Sequence, residues 1–444
     1  MTISNESIKS IFNLSSVNDD IVIYNGKFCI YTNQIIRCRG EILYKITEPI
    51  SVNFKAEIYQ YDETENIEEL ISYEDAKIEI AGYKHMNIQI LSVKNGIITG
   101  YIDDPVIKSK DGEVDYIQFD IVNMDKIPGK LVEYGDLVYA GRIQFNINQY
   151  TIVIDKSYDY NKDLHKELVL KNGSIITHTG RIYKKDFSSF KTKNVESLIY
   201  RLSTALSFSC GRYVNIINAF GFKKQDNVCK NTYRSWYKML SNDYKFVFKW
   251  TTTISNYYNF EKYLSLMCKK LENTYYSNTI LNIIDWYIEA LNGHNLSNNI
   301  ISIQTALEML SYVVLVEDGR YISKAKFDSL PANQNIRNFL SRCNIDITIP
   351  KHIFINKNII DNFSDGVELI TYYRNLVVHP SKKRKNFYLE FEEMWNIILL
   401  GIKYIELSIL YIINYRGEYT DRFKDYCFGD VDTVPWVHRN KKLQ

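Results

Sequence analysis

Two different rhythms of apolar residues divide this chain. Through roughly the first 190 residues, apolar and polar positions alternate at period two, in short runs broken by turn-forming dipeptides. Ile117, Phe119 and Ile121 alternate with Gln118 and Asp120, and Ile143, Phe145 and Ile147 alternate with Gln144 and Asn146. Asn25-Gly26, Asn95-Gly96 and Asn172-Gly173 each stand between two apolar runs, as in a tight hairpin. Many short strands separated by turn signals predict a β-rich module over residues 1–190, a sandwich or barrel-like domain. Residues 191–271 read as a mixed, partly helical continuation of that module. Asn194 is placed to cap a helix carrying Leu198, Leu202, Ala205 and Leu206, with Gly211 as its stop.

From residue 272 the period changes to 3.6. Ser277 precedes a helix with Ile280, Leu281, Ile284, Tyr287, Ile288 and Leu291 on one side, and Asn292-Gly293 ends it. Ser297 precedes a second, marked by Ile300, Ile303, Leu307, Leu310 and Val314. A shorter helix is predicted near Ile336 to Cys343, after Pro331. A fourth runs from about Ser364 to His379, stopped by Pro380, and a fifth from Phe387 to about Tyr415. Five helices with short connections predict an all-α bundle over 272–416, followed by an irregular tail at 417–444. The expected class is α+β and multidomain, with a β-rich N-terminal domain and a C-terminal helical bundle.

Composition narrows the choices. A formal net charge of +2 gives no global attraction to nucleic acid or membrane, so any RNA binding rests on local patches. The 7 cysteines are odd in number and none has CxxC spacing, which argues against a disulfide framework or zinc site and for a reducing compartment. The opening MTISNESIKS lacks the basic start and apolar run of a signal peptide. Ile397 to Ile413 is apolar but holds Lys403 and Glu406, each costing about 2.5–3.5 kcal/mol at the centre of a membrane-spanning helix. A buried bundle helix and a cytoplasmic protein are therefore expected, with no membrane partner. Phosphate-loop, HExxH and GxSxG patterns are absent from the sequence, which lowers the case for ATP-driven work, zinc proteolysis and serine hydrolysis. His85, His165 and His178 stand isolated in the β-rich part, where packing explains each.

The chemistry concentrates in Tyr372-Tyr-Arg-Asn-Leu-Val-Val-His-Pro-Ser-Lys-Lys-Arg-Lys385. With 7 histidines and 15 arginines, about 0.7 matches to Arg-x(4–6)-His arise by chance, so spacing alone decides nothing. Context does more. Asn375 follows Arg374, Pro380 follows His379, and the motif closes a predicted helix. Five helical positions turn through about 140°, so Arg374 and His379 do not share a face of a regular helix. The residue before a proline is driven from helical angles, which frees His379 to swing toward a neighbouring chain. A second copy of the helix about a two-fold axis would gather two Arg and two His, so a homodimer with a composite site is expected.

RNA carries its own nucleophile, the 2′-hydroxyl. Histidine suits the proton transfer because it titrates near neutrality. Arginine suits the phosphate because its planar fork stays charged and donates paired hydrogen bonds. Asn375 can orient either, and neither a metal nor another cofactor is required. Lys382, Lys383, Arg384 and Lys385 form a run that would attract the RNA backbone. A plainer reading stands beside this one: His379 complements the helix dipole and Arg374 pairs with Glu368.

The Arg374-to-Pro380 segment resembles the signature of HEPN-domain ribonucleases. The C-terminal half is similar to the HEPN domain of ApeA-like anti-phage proteins, through Ile284-Asp-Trp-Tyr-Ile-Glu-Ala290, Ile303-Gln-Thr-Ala-Leu-Glu308 and Tyr373-Arg-Asn375. Leu206-Ser-Phe-Ser-Cys-Gly-Arg212 resembles a segment near the end of their β-rich N-terminal domain. The resemblance implies a four- to five-helix HEPN bundle, dimerisation, metal-independent RNA cleavage and a role in abortive infection; the N-terminal module is then read as sensor or regulator of the nuclease, with a phage-derived trigger as its candidate partner. It gives Arg374 and His379 the catalytic positions, Asn375 the adjacent polar one, and Glu308 a supporting one. The alternative is a non-catalytic bundle of the same type that binds RNA or nucleotides, or serves only for dimerisation.

Overall fold

The computed structural model describes residues 3–12, 16–61, 73–225, 228–240, 244–293, 295–354, 360–379, 390–427 and 430–437. Chain contacts divide it into two units, one of residues 1–203 and 213–246, the other of 204–212 and 247–444. The segment 191–271 is thus shared between them.

The first unit opens with six antiparallel strands: β1 (Ile21–Tyr31), β2 (Ile35–Lys45), β3 (Ser51–Gln60), β4 (Lys77–Glu79), β5 (Met86–Lys94) and β6 (Ile97–Ile102). They close a barrel in the order β1-β2-β3-β6-β5-β4, with Ile30 opposite Ile78 at the closing pair. Alternate residues point inward, and Ile30, Ile36, Cys38, Ile42, Ile78, Ile98 and Ile102 are fully buried. Asn95-Gly96 makes the expected hairpin, both residues at positive φ (51° and 73°), as a primed turn requires. Asn25-Gly26 makes none. β1 runs straight through it, with Asn25 opposite Glu41 and Gly26 opposite Gly40. The Asn25 amide donates to the Glu41 carboxylate at 2.8 Å, and the Tyr24 hydroxyl lies 2.9 Å from where a Cβ on Gly26 would stand. The glycine serves side-chain packing within a strand.

A second sheet follows. Its strands are β7 (Val106–Lys108), β9 (Tyr116–Val122), β10 (Lys130–Tyr134), β11 (Leu137–Ile147), β12 (Tyr150–Lys156), β13 (Ile176–Lys184), β16 (Asn218–Gln225) and β17 (Val228–Tyr237), in the order β10-β11-β12-β13-β9-β16-β17-β7. Short β15 (Asn215–Ile216) also pairs with β9, and β8 (Glu113–Val114) pairs separately with β14 (Phe190–Lys191). β9 is buried on both faces, so its polar alternates Gln118 and Asp120 are enclosed. The Asp120 carboxylate accepts from Asn218 and Thr179, both at 2.8 Å. Asn172-Gly173 is a second departure from the hairpin expectation. Lys162–Lys171 is a helix, α1, capped by Asn161, and Asn172 ends it in the left-handed conformation.

Helix α2 (Glu196–Cys210) ends at Gly211, φ +64°, as its sequence predicts. The second unit continues with α3 (Tyr257–Lys270), α4 (Thr274–Asn292), α5 (Leu296–Tyr312), α6 (Lys324–Ser329), α7 (Ala332–Arg342), α8 (Gly366–Val378) and α9 (Phe391–Ile412). The caps of α4 and α5 are Asn273 and Asn295, earlier than the serines that the sequence suggested. α3 was not foreseen. Asn256 caps it, and Phe260, Tyr263, Leu264 and Met267 form its buried stripe. α9 packs on α4, α5 and α8, with Gly401 giving room for Ile303 of α5. Leu296–Asp318 and Phe391–Ile412 are long and apolar enough to cross a membrane by length and composition, yet 61% and 72% of their windows are buried inside the protein. The tail expected to be irregular holds a strand pair: β18 (Glu418–Tyr419) pairs with β19 (Asp432–Thr433), and the Trp436 indole donates to the Tyr415 carbonyl at 2.7 Å.

Candidate active site

α8 exists because its ends and one face are specified. Asp365 caps it, accepting from the Glu368 N–H at 2.8 Å, and is itself held by Arg337 of α7 at 2.6 Å. Val367, Ile370 and Tyr373 repeat at helical spacing and are buried. Burial, then Tyr372 and Glu393, push the Tyr373 hydroxyl above its ordinary pKa, so it stays neutral. The helix ends as the sequence requires. The His379 N–H donates to the Asn375 carbonyl at 2.9 Å, but His379 itself has φ −126° and ψ 70°, outside the helical region. Its imidazole is on an exposed residue.

Arg374 is half-buried one turn earlier. Its Nη1 donates to the Asn375 carboxamide oxygen at 3.1 Å. Asn375 therefore touches both motif residues, the arginine through its side chain and the histidine through its carbonyl. Glu368 does not take the arginine. Its carboxylate accepts from the Ser364 N–H (2.9 Å) and hydroxyl (2.6 Å), which hold it below the usual carboxylate range. Glu308 is half-buried on α5 and engaged on its own helix, accepting from Gln304 at 2.8 Å. Lys382, Lys383, Arg384 and Lys385 lie outside the described residues.

The structure adds polar atoms that the sequence reading passed over. Arg374 Nε is buried with no hydrogen-bond acceptor among the described residues. So is Thr371 Oγ1, three positions earlier on the same helix, and so is Gln304 Oε1 on α5, which packs against α8. Gln304 is only 2% exposed. A buried polar atom without a partner costs about 1–3 kcal/mol, which a ligand, water or second chain can offset. The signal for Gln304 was a glutamine inside the apolar stripe of α5, beside Ile303 and Leu307. Among the described residues, no three His, Cys, Asp or Glu side chains group as a metal site.

Comparison with known proteins bears on both units. Residues 273–433, which contain α4 to α9 and the whole motif, match the model of the YopA C-terminal domain. Residues 109–247, the second sheet and its surroundings, match that of the YopA central domain. The chain is 29% identical over 459 aligned positions to the "SPbeta prophage-derived uncharacterized protein YopA" of Bacillus subtilis (strain 168), an alignment that covers 98% of this chain and 99% of the relative. No solved structure matches the chain.

Proposed function

We propose that this chain is a HEPN-type endoribonuclease whose Arg374 and His379 cut RNA without a metal ion. The observation that carries the reading is the end of α8. A histidine has left the helix and is exposed, while an arginine one turn back has a buried N–H with no acceptor among the described residues. In the proposed reaction His379 takes the proton of the 2′-hydroxyl, whose oxygen attacks the adjacent phosphorus. The P–O5′ bond breaks and the 5′-oxygen leaves with a proton, supplied in turn by an imidazolium. Arg374, steadied by Asn375, donates to the phosphate oxygens as charge builds there. The products are a 2′,3′-cyclic phosphate and a 5′-hydroxyl. Lys382, Lys383, Arg384 and Lys385 would draw the RNA backbone toward the site.

A second copy of α8 completes this site in the proposal. Val377 and Val378, each 37% exposed at the same helix end, support an apolar contact there. The proposed setting is cytoplasmic anti-phage defence by abortive infection, with the N-terminal unit as sensor or regulator of a phage-derived trigger. Similarity to a prophage-derived protein supports a place in phage–host conflict. His379→Ala is expected to lower RNA cleavage by about 10²–10⁴-fold, and Arg374→Ala by about 10²–10³-fold. Both should also abolish phage restriction. Variants that cleave and restrict like the parent would remove the assignment. The exposed imidazole, without a side-chain partner among the described residues, favours one alternative, a non-catalytic module of the same fold. Its mark would be RNA that is bound but never shortened.

A further inference from the structure

The first unit holds a feature that the nuclease reading does not use. A cleft of about 540 Å³ opens beside the N-terminal segment, within the roughly 300–1,000 Å³ range of small-molecule sites. One wall is that segment, and it is fixed in place. Arg142, buried and paired with Asp155, donates to the carbonyls of Ser4 (2.5 Å) and Glu6 (2.7 Å). The Ile8 N–H donates to the Asp155 carboxylate at 2.8 Å, and Gln118 holds the Lys9 carbonyl at 2.9 Å. Lys9 is therefore presented from an anchored backbone.

Leu164 and Ile175 give the cleft an apolar floor, and its rim is aromatic. The rings of Tyr134 and Tyr158 stack with centroids 4.3 Å apart and planes 15° from parallel, and Tyr158 is 37% exposed. The Lys9 ammonium stands 4.7 Å from the centroid of Tyr134 and has no carboxylate partner among the described residues. Asp159 accepts from the Tyr134 hydroxyl through one oxygen at a long 3.4 Å. Its other oxygen has no partner among the described residues.

The cleft thus combines an aromatic surface, a cation with no carboxylate partner among the described residues and a carboxylate oxygen that none of them occupies. A simple anion would use only the lysine, and a simple cation only the carboxylate and rings. A nucleotide uses all three, with its base against the exposed Tyr158 ring, beside which Tyr139 stands tilted with centroids 5.6 Å apart, a base N–H donating to Asp159, and its phosphate meeting Lys9, whose flexible side chain leaves the Tyr134 face to reach it. We propose that this cleft is a nucleotide-binding site.

Calorimetric titration of the full chain carrying Arg374→Ala and His379→Ala tests this, since nucleotide binding at the proposed cleavage site is then removed. The titrants are AMP, GMP, CMP, UMP, the four nucleosides and inorganic phosphate. Expected is saturable binding of at least one monophosphate, with phosphate alone silent at the same concentration. Tyr158→Ala should weaken both nucleotide and nucleoside about tenfold, whereas Lys9→Ala should weaken only the nucleotide, by a similar factor. Both side chains are exposed, so thermal melting should show the variants folded. Absence of binding by every nucleotide up to about 1 mM, or binding that neither substitution alters, overturns the proposal. Because no RNA cleavage is read, either result leaves the nuclease reading untouched.

Discussion

Two histidines behave oppositely in this protein. His379 ends a helix in solvent, while His178 is enclosed in β13 with its Nδ1 3.0 Å from the Thr177 hydroxyl. Burial, and secondarily the charge of Lys156, push the His178 pKa down from 6.5 to about 3. The unfolded chain takes up this proton near the ordinary value, and the folded chain not until about pH 3. Between those limits protonation favours unfolding, so stability falls as pH drops below about 6.5, by about 2 kcal/mol at pH 5. Denaturant melts of the parent and His178→Gln at pH 7 and pH 5 should show the parent losing more on acidification. An equal loss in both would place the acid sensitivity elsewhere. The residues of the motif were legible in sequence because spacing and Pro380 together announce a helix end. Gln304 and Thr371 were not, since a polar residue within an apolar stripe looks the same whether its partner is present or missing. That Arg374 and Glu368 do not pair was also unreadable, because a serine four positions before Glu368 takes its carboxylate.

Among the elements, α9 shows how charge can sit in the most apolar stretch of the chain. Glu406 is fully buried, and accepts from Tyr287 at 2.8 Å and from the Arg422 guanidinium, Nε at 3.1 Å. Arg422 also donates to the Phe248 carbonyl at 2.6 Å, and Glu406 and Tyr287 hold it well above its ordinary pKa against the opposing effect of burial. Lys403 meets Asp421 at 2.8 Å. These pairs are why a helix apolar enough to suggest a membrane belongs inside the bundle. Arg422→Leu strands the Glu406 charge and should cost the second unit about 3–5 kcal/mol in urea melts. Glu406→Leu with Arg422→Leu should recover much of that, and a double variant as unstable as the single would mean that the ion pair is not the cause. At this scale the sequence was readable where one physical cause acted alone. Asn95-Gly96 makes its hairpin because nothing opposes it. Asn25-Gly26 yields to the ladder with β2, and Asn172-Gly173 to the capped helix before it. α3 was hidden because its buried stripe is rich in Tyr and Phe, residues that equally suit strands.

For the whole molecule, the chain holds a β-rich unit and a helical unit, and the alignment to its prophage-derived relative spans both nearly end to end. The division at residue scale was only partly visible beforehand, since Thr204–Arg212, the end of α2 and the two residues after it, counts with the helices although parts of the β-rich unit lie on both sides of it in sequence. The proposed site needs a second subunit, so sedimentation equilibrium should give twice the chain mass at micromolar concentration. A stable monomer that still cleaves RNA would show that one chain suffices. The central claim meets its most direct test in the chemistry of the cut ends. Purified protein, incubated with total RNA in excess EDTA, should shorten it and leave 2′,3′-cyclic phosphate and 5′-hydroxyl termini, and folded Arg374→Ala and His379→Ala proteins should not. Termini with 3′-hydroxyl and 5′-phosphate, or undiminished cutting by either variant, would contradict it.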